Sequence, residues 1–303
     1  MRPLSTSTTA KLFATGFTVG PIVDSLHNQC LLRYDFLPIS LQWPIVLQQN
    51  QNAFGDIAVR SSTIAADAIE SSGIHAYPYY FCSSWIVPPL LGFAYVVLGG
   101  LLPRILESIL ESLQIQKQEA NATPSSSKVL SSQKLRTRAL LAVTTTAMII
   151  KLSEFLETHP GVLDGSGILH SPIETVSLSL LVMIMASLSQ WALLDQSIVA
   201  LVVATVTAIG GPLAELPFVG HGAWTYIDQA ADYFPLQNLP SIAPTFASSD
   251  NLLLEMSQAL FGTSNYQDLA LSSITGPCYF AVAMDAIALG RWFDTSTSSS
   301  SSS

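Results

Sequence analysis

Residues 176–214 form a run of thirty-nine positions whose only charged side chain is Asp195. As one helix this run would be roughly 58 Å long, about twice the hydrocarbon thickness of a bilayer. It predicts two membrane spans, 176–194 and 197–214, hinged at the sequence LDQS. A second uncharged run, 85–103, carries Pro88, Pro89 and Pro103 and also Gly92, Gly99 and Gly100. In water a proline inside a helix costs roughly 3 kcal/mol and a glycine about 1. Membrane helices tolerate both, because neighbouring helices re-satisfy the freed backbone groups. Nineteen residues rise by roughly 28 Å, which is one crossing.

Three further segments have spanning length with polar interruptions. Residues 12–32 contain Asp24, His27 and Asn28, residues 139–156 contain Lys151, and residues 269–290 contain Asp285. Lys151 would have to snorkel to the interface. The pattern predicts an all-α fold, a polytopic membrane helix bundle of about six transmembrane helices. Residues 1–11 precede the first span, 12–294 form the membrane domain, and 295–303 read as a disordered serine tail. The segment MRPLSTSTTAKLFATG has a basic start without a small-residue cleavage site, so a retained helix is expected rather than a removed signal.

Composition supports this reading. Charged residues make up 11% of the chain and hydrophobic ones 49%, with a mean hydropathy of +0.43. Soluble domains carry about a quarter charged residues. A net charge of −9 argues against a nucleic-acid partner, which needs clustered Lys and Arg. The basic residues set the orientation. Arg2, Lys11, Arg104, Lys117, Lys128, Lys134, Arg136, Arg138 and Arg291 fall on one side of a six-span chain, and Arg33, Arg60 and Lys151 on the other. Both termini are therefore expected in the cytosol. From Glu215 to Asp268 inclusive there are six acids and no Lys or Arg, which suits a translocated loop. The stretches DIAVRSSTIAADAIESSG and SDNLLLEMSQALFG are amphipathic and belong to the two long lumenal loops.

Charged groups inside spans are functional candidates, since each costs about 3 kcal/mol to insert. Asp24 and His27 share one helix face. Glu215 and His221 are expected just past the fifth span, at the lumenal interface, where a carboxylate and an imidazole beside an apolar cavity suit acid–base work on a lipid. The more ordinary reading of each pair is a hydrogen-bonded structural group. No HExxH, GxSxG or aspartate-rich diphosphate motif is present. Neither catalytic residues, nor a metal, nor a cofactor is therefore assigned. Cys30 and Cys82 would lie at the same ends of spans one and two; they either pair or remain buried free thiols, the latter being the more ordinary. The irregular, thin second span lets neighbouring helices either approach closely or leave a gap, as at Gly92, and the apolar spans facing it suit a flat lipid. Thr144, Thr145, Ser179 and Gln190 are the candidate polar anchors.

Several of these segments resemble the insulin-induced gene (Insig) proteins. SSWIVPPLLGFAYVVLGGLLP resembles that family's second span and LSLLVMIMASLSQWALLDQS its fourth, with Trp191 four residues before Asp195. GPCYFAVAMDAIALGRWF is similar to the sixth span, while the first matches in character. The resemblance implies a six-span protein of the endoplasmic reticulum that binds a sterol-like lipid. It also implies docking onto sterol-sensing-domain partners, the escort protein SCAP or HMG-CoA reductase, with Asp195 and Trp191 at the partner surface and no catalysis. The basic residues that follow the loop Asp in the family are absent here, and both lumenal loops are longer. An intramembrane enzyme of isoprenoid or lipid metabolism using Asp24, His27, Glu215 and His221 is the alternative expectation. A plastid-membrane assembly factor is the third. The enzyme reading requires those four side chains to converge on one cavity.

Overall fold

Ser5 opens the first helix: its Oγ accepts a hydrogen bond from the Thr8 backbone N–H at 3.0 Å, satisfying one of the donors that a helix start leaves open. In the computed structural model, which describes residues 3–28, 32–41, 81–118, 132–159, 175–226, 230 and 271–300, this helix, α1, covers Thr6–Thr18. Pro21 has no N–H to give the preceding turn, and the chain breaks there into α2, Gly20–Asn28. The expected first span thus begins earlier than residue 12. It is two-part, and Leu32 already belongs to a strand, β1, Leu32–Tyr34.

The second span enters from strand β3, Phe81–Ser84, which pairs antiparallel with β2, Pro38–Leu41. Pro88 and Pro89 sit in the first turn of α3, Val87–Val96, where a missing N–H costs nothing. The glycine pair then lies in a π-helical turn, Val97–Leu101, in which the Leu102 N–H reaches back to the Val97 carbonyl. That wider register absorbs the donor missing at Pro103, so the chain continues as α4, Leu102–Gln118. The helix therefore runs on past residue 103, where the expected span ended.

The remaining helices are α5, Ser132–Thr158, α6, Thr175–Leu194, α7, Ile198–Gly220, and α8, Thr275–Ser300. Glu215, read from the sequence as lying past the fifth span, is within α7. Helix α8 takes in residues 295–300 of the expected disordered tail, because extending a formed helix is far easier than nucleating one. A short strand after α7, β4, Trp224–Tyr226, pairs antiparallel with β1.

Three of the described helical segments are long and apolar enough to cross a membrane: Val87–Leu113, Ser132–Thr158 and Ile198–Gly220. Leu178–Leu194 is a shorter apolar helix. With α1–α2 and α8 they form an all-α bundle of six helical passes, a multi-pass membrane protein. Helix α8 is the hub. It packs on α5, α7, α6, α1 and the π turn, and Ala281, Ala283, Met284, Ala286 and Ile287 are fully buried on it. Its small residues let neighbouring backbones approach closely.

Polar contacts tie the two ends differently. At the end carrying the termini, Asp294 holds Arg104 of α4 in an ion pair and accepts from Thr8 at 2.9 Å. At that same end Asp195 is paired with Arg291. The opposite end carries the two strand pairs. On α5, Lys151 reaches out to the surface and pairs with buried Glu154.

Candidate functional site

Helices α2, α3, α7 and α8 do not close on one another completely. They leave a cavity of about 500 Å³, within the range of small-molecule sites. Leu98, Leu102, Val97, Ala94, Phe93, Val206 and Val282 make the apolar wall. Asp24, His27, Tyr34, Glu215, Trp224, Tyr226, Thr275, Cys278 and Tyr279 also line it, and these polar and aromatic groups gather toward the strand-bearing end.

The polar end is built by secondary structure from distant parts of the chain. The β1–β4 pairing sets Tyr34 beside Trp224 in register, with ring centroids 6.2 Å apart. Trp224 also stacks on Phe218 at 4.8 Å. Glu215 of α7 accepts from Tyr226 at 2.8 Å and from Tyr279 at 2.6 Å. Gly211 makes the second contact possible, because the Tyr279 ring occupies the space a side chain there would need. Burial, together with the adjacent Glu215, pushes the Tyr226 phenol well above its ordinary pKa, so it remains a donor. Asp24 accepts from Tyr34 at 3.0 Å.

His27 is buried, with Nδ1 2.7 Å from Ser153 Oγ of α5. That hydroxyl donates to the Ile150 carbonyl at 2.6 Å, so it accepts from His27 and places the imidazole proton on Nδ1. Nε2 is then an acceptor; it is buried without a protein partner. Trp224 Nε1 is likewise buried, facing the Glu215 carboxylate.

Of the four residues on which the enzyme reading depends, Asp24, His27 and Glu215 therefore meet at one cavity. His221 does not: it is the exposed C-cap of α7. Asp285 lies deeper in the bundle, accepting from Tyr95 at 3.1 Å. Among the described residues no group of three His, Cys, Asp or Glu side chains is placed to hold a metal ion. Cys82 is a half-buried free thiol, and Cys30 lies outside the described residues, as do the two amphipathic loop stretches.

The other sequence candidates sit elsewhere. Gly92 faces Phe13, whose ring lies 2.8 Å from where a Cβ would stand; the expected gap is filled by that ring. Thr144 donates to its own helix at Leu140. Gln190, buried on α6, donates to Thr145 and Thr146 at 2.9 Å each and to the Ala142 carbonyl at 3.1 Å. It thus joins α6 to α5, and Ser179 is buried on α6. None of these five lines the cavity. The Asp195 carboxylate, expected at the partner surface, is not free. It binds Arg291 and accepts from the Ser197 backbone N–H at 3.0 Å, leaving its side chain 8% exposed. Trp191 donates to the Ser197 carbonyl at 2.9 Å, which fastens the same turn. The tyrosines and Trp224 were not singled out for the site. Their positions near span ends have the ordinary meaning of interface anchors, and only the strand pairing turns them inward.

The sequence matches no family model and no curated protein at a significant level. Two solved structures are similar in fold across nearly the whole chain. One is a cross-linked trimer of MvINS, with a TM-score of 0.52 at 14% identity, covering 97% of both chains. The other is MvINS itself, described as a mycobacterial Insig homologue from Mycobacterium vanbaalenii, with a TM-score of 0.50 at 15% identity over 96% of this chain and 95% of that one. At such identity the likeness is one of fold: the chain has a distant, Insig-like membrane helix bundle.

Proposed function

We propose that this chain is a sterol-responsive regulatory membrane protein. Its cavity takes a sterol-like lipid, and its outer helices dock a membrane partner bearing a sterol-sensing domain, of the SCAP or HMG-CoA reductase kind. The observation that carries the reading is the cavity: apolar along most of its length, polar at one end, and set among the helices of an Insig-like bundle. That shape suits a rigid amphiphile held by a few hydrogen bonds. The lipid's anchors are drawn from the polar end rather than from Thr144, Thr145, Ser179 and Gln190. The endoplasmic reticulum, with both termini cytosolic, is the proposed location, on the strength of the Lys and Arg distribution. Asp195 and Trp191 shape the partner surface by fixing the α6–α7 turn, and no catalysis is assigned.

The convergence of Asp24, His27 and Glu215 favours a second reading, an intramembrane lipid enzyme. It is the weaker one, because His221 stands apart and Glu215 and Asp24 are both held by tyrosine hydroxyls.

A photoreactive sterol tests the proposal. Labelling should fall on peptides of α3, α7 and α8 and be competed by an oxysterol. Uncompeted labelling spread over all the helices would overturn it.

A further inference from the structure

His27 lines the cavity and is 6% exposed. Its Nδ1–H is spent on Ser153. Its Nε2, a lone-pair acceptor by the tautomer argument above, is buried and has no partner. Native structures keep few such groups, because a buried polar atom left unmatched costs more than an ordinary hydrogen bond returns. The hydroxyls of the described lining residues, by contrast, are all committed. Tyr34 donates to Asp24, Tyr226 and Tyr279 to Glu215, and Tyr95 to Asp285. Thr207 donates to the Val203 carbonyl of its own helix. Since the Tyr226 proton goes to Glu215, Thr275 is the donor in its 3.3 Å contact with Tyr226.

From an unpartnered acceptor set among committed donors, we infer that His27 Nε2 is the anchor for a free hydroxyl on the lipid. The lipid then lies with its hydroxyl at the strand-bearing end, since His27 is near the end of α2, just ahead of β1. Its hydrocarbon end runs along Leu98, Leu102 and Val206, toward the end where Arg104 pairs with Asp294. The inference rests on the cavity being a lipid site and adds the head group, its contact and its direction. A hydroxyl gives its proton to Nε2 and keeps its own lone pairs for a second contact. A ketone, ether or ester has acceptors only. It sets an oxygen against the Nε2 lone pair, and the lining hydroxyls would have to abandon their present acceptors to meet it. A site built to bond a hydroxyl rejects the analogue that lacks one, because its own buried polar group is then unpaired.

The test uses the full chain in a non-ionic maltoside and four probes with one ring system: cholestanol, its ketone, its methyl ether and the parent hydrocarbon cholestane. Each competes against the photoreactive sterol. Cholestanol should compete about tenfold more strongly than the other three, the cost of leaving a buried acceptor unmatched. Nitrogen NMR of protein labelled at histidine should show the His27 Nε2 resonance, identified by its loss in His27→Gln, moving with cholestanol and not with the ketone. His27→Phe keeps a ring and removes the acceptor, so cholestanol should fall to the level of the ketone while the ketone is unchanged. His27→Gln carries an amide oxygen to nearly the same point and should restore part of the preference. A diazirine on the sterol side chain should label the π turn and the first half of α7, and one on the ring beside the hydroxyl should label α2 and β4. Equal competition by cholestanol and the ketone would overturn the hydroxyl anchor and leave the lipid cavity standing. A preference that survives His27→Phe would place the hydroxyl elsewhere and also overturn it, and exchanged labelling patterns would overturn the direction. If His27→Phe fails to fold, the analogue series and the Nε2 resonance of the unaltered protein decide. Absence of sterol labelling in the unaltered protein would remove the lipid cavity as well.

Discussion

Gly290 of α8 lies directly on the Gly99 carbonyl of the π turn, and a Cβ at either glycine would strike the other helix's backbone: Gly290 on Gly99, Gly99 on Ala286. The second and sixth passes cross here with no room for a side chain. Gly290→Val should therefore cost about 3 kcal/mol or more, since overpacking alone costs about 1–3 and the clashing atoms are backbone. Thermal unfolding in detergent, followed by size exclusion, measures it. Gly210→Ala is the control: nothing lies within 4 Å of its Cβ position, and alanine is the better helix former by roughly 0.5–1 kcal/mol. A Gly290→Val protein as stable as the parent would mean the two passes separate more easily than their packing indicates.

The Asp195–Arg291 pair joins the α6–α7 turn to α8, with Arg291 33% and Asp195 8% exposed. If the turn forms part of the partner surface, Asp195 acts through its shape rather than as a free charge. Asp195→Ala and Arg291→Met should then weaken partner capture to a similar degree. The double variant should be no worse than either, the signature of coupled residues. Insertion and sterol labelling should persist in all three. Additive losses would assign the two side chains separate contacts, and unchanged capture would leave Asp195 a turn residue only.

Runs of uncharged residues made the passes legible, since each must bury or expose to lipid an apolar surface about 30 Å long. The charges inside them, Asp24, His27 and Asp285, pointed to polar sites because an intramembrane charge is expensive. The strand pairs were not legible. Leu32–Tyr34 and Trp224–Tyr226 are three residues each and far apart in the chain, and register between such short strands has no local signal. The cavity's position also escaped the sequence, for hydropathy does not say which passes are neighbours. Gly92 was read as a gap because Phe13 could not be placed against it. Tyr34, Trp224, Tyr226 and Tyr279 were not singled out for the site because nothing local showed them turning toward Glu215.

Cys82 offers a chemical probe of that polar end. It is half-buried on β3, and burial first, then the Asp24 charge, raises its thiol pKa. The nucleophile is the thiolate, so at pH 7–8 Cys82 should react with maleimide more slowly than an ordinary exposed thiol. Its rate should keep rising above the usual thiol range. Asp24→Asn removes a negative charge, lowers the pKa and should move the rate profile to lower pH. Labelling in a Cys30→Ser background, read by peptide mass spectrometry, checks the direction. A profile shifted upward or unmoved by Asp24→Asn would separate the thiol from that carboxylate.

Orientation has an internal reporter. Asn121-Ala122-Thr123 is an N-glycosylation sequon, a modification made only on the lumenal side. It lies outside the described residues, between α4 and α5. Helix α4 ends and α5 begins at the end of the bundle carrying Arg104, Arg136 and Arg291. Arg33 is at the opposite end, on β1. The positive bias assigns the former end to the cytosol, where Asn121 stays unmodified. The protein expressed in a glycosylating host should show no glycosidase-sensitive mass shift at this position. A sequon introduced beside Arg33 should be modified. A shift abolished by Asn121→Gln would reverse the topology. It would also carry the Asp195 turn, and the partner surface proposed there, to the lumenal side.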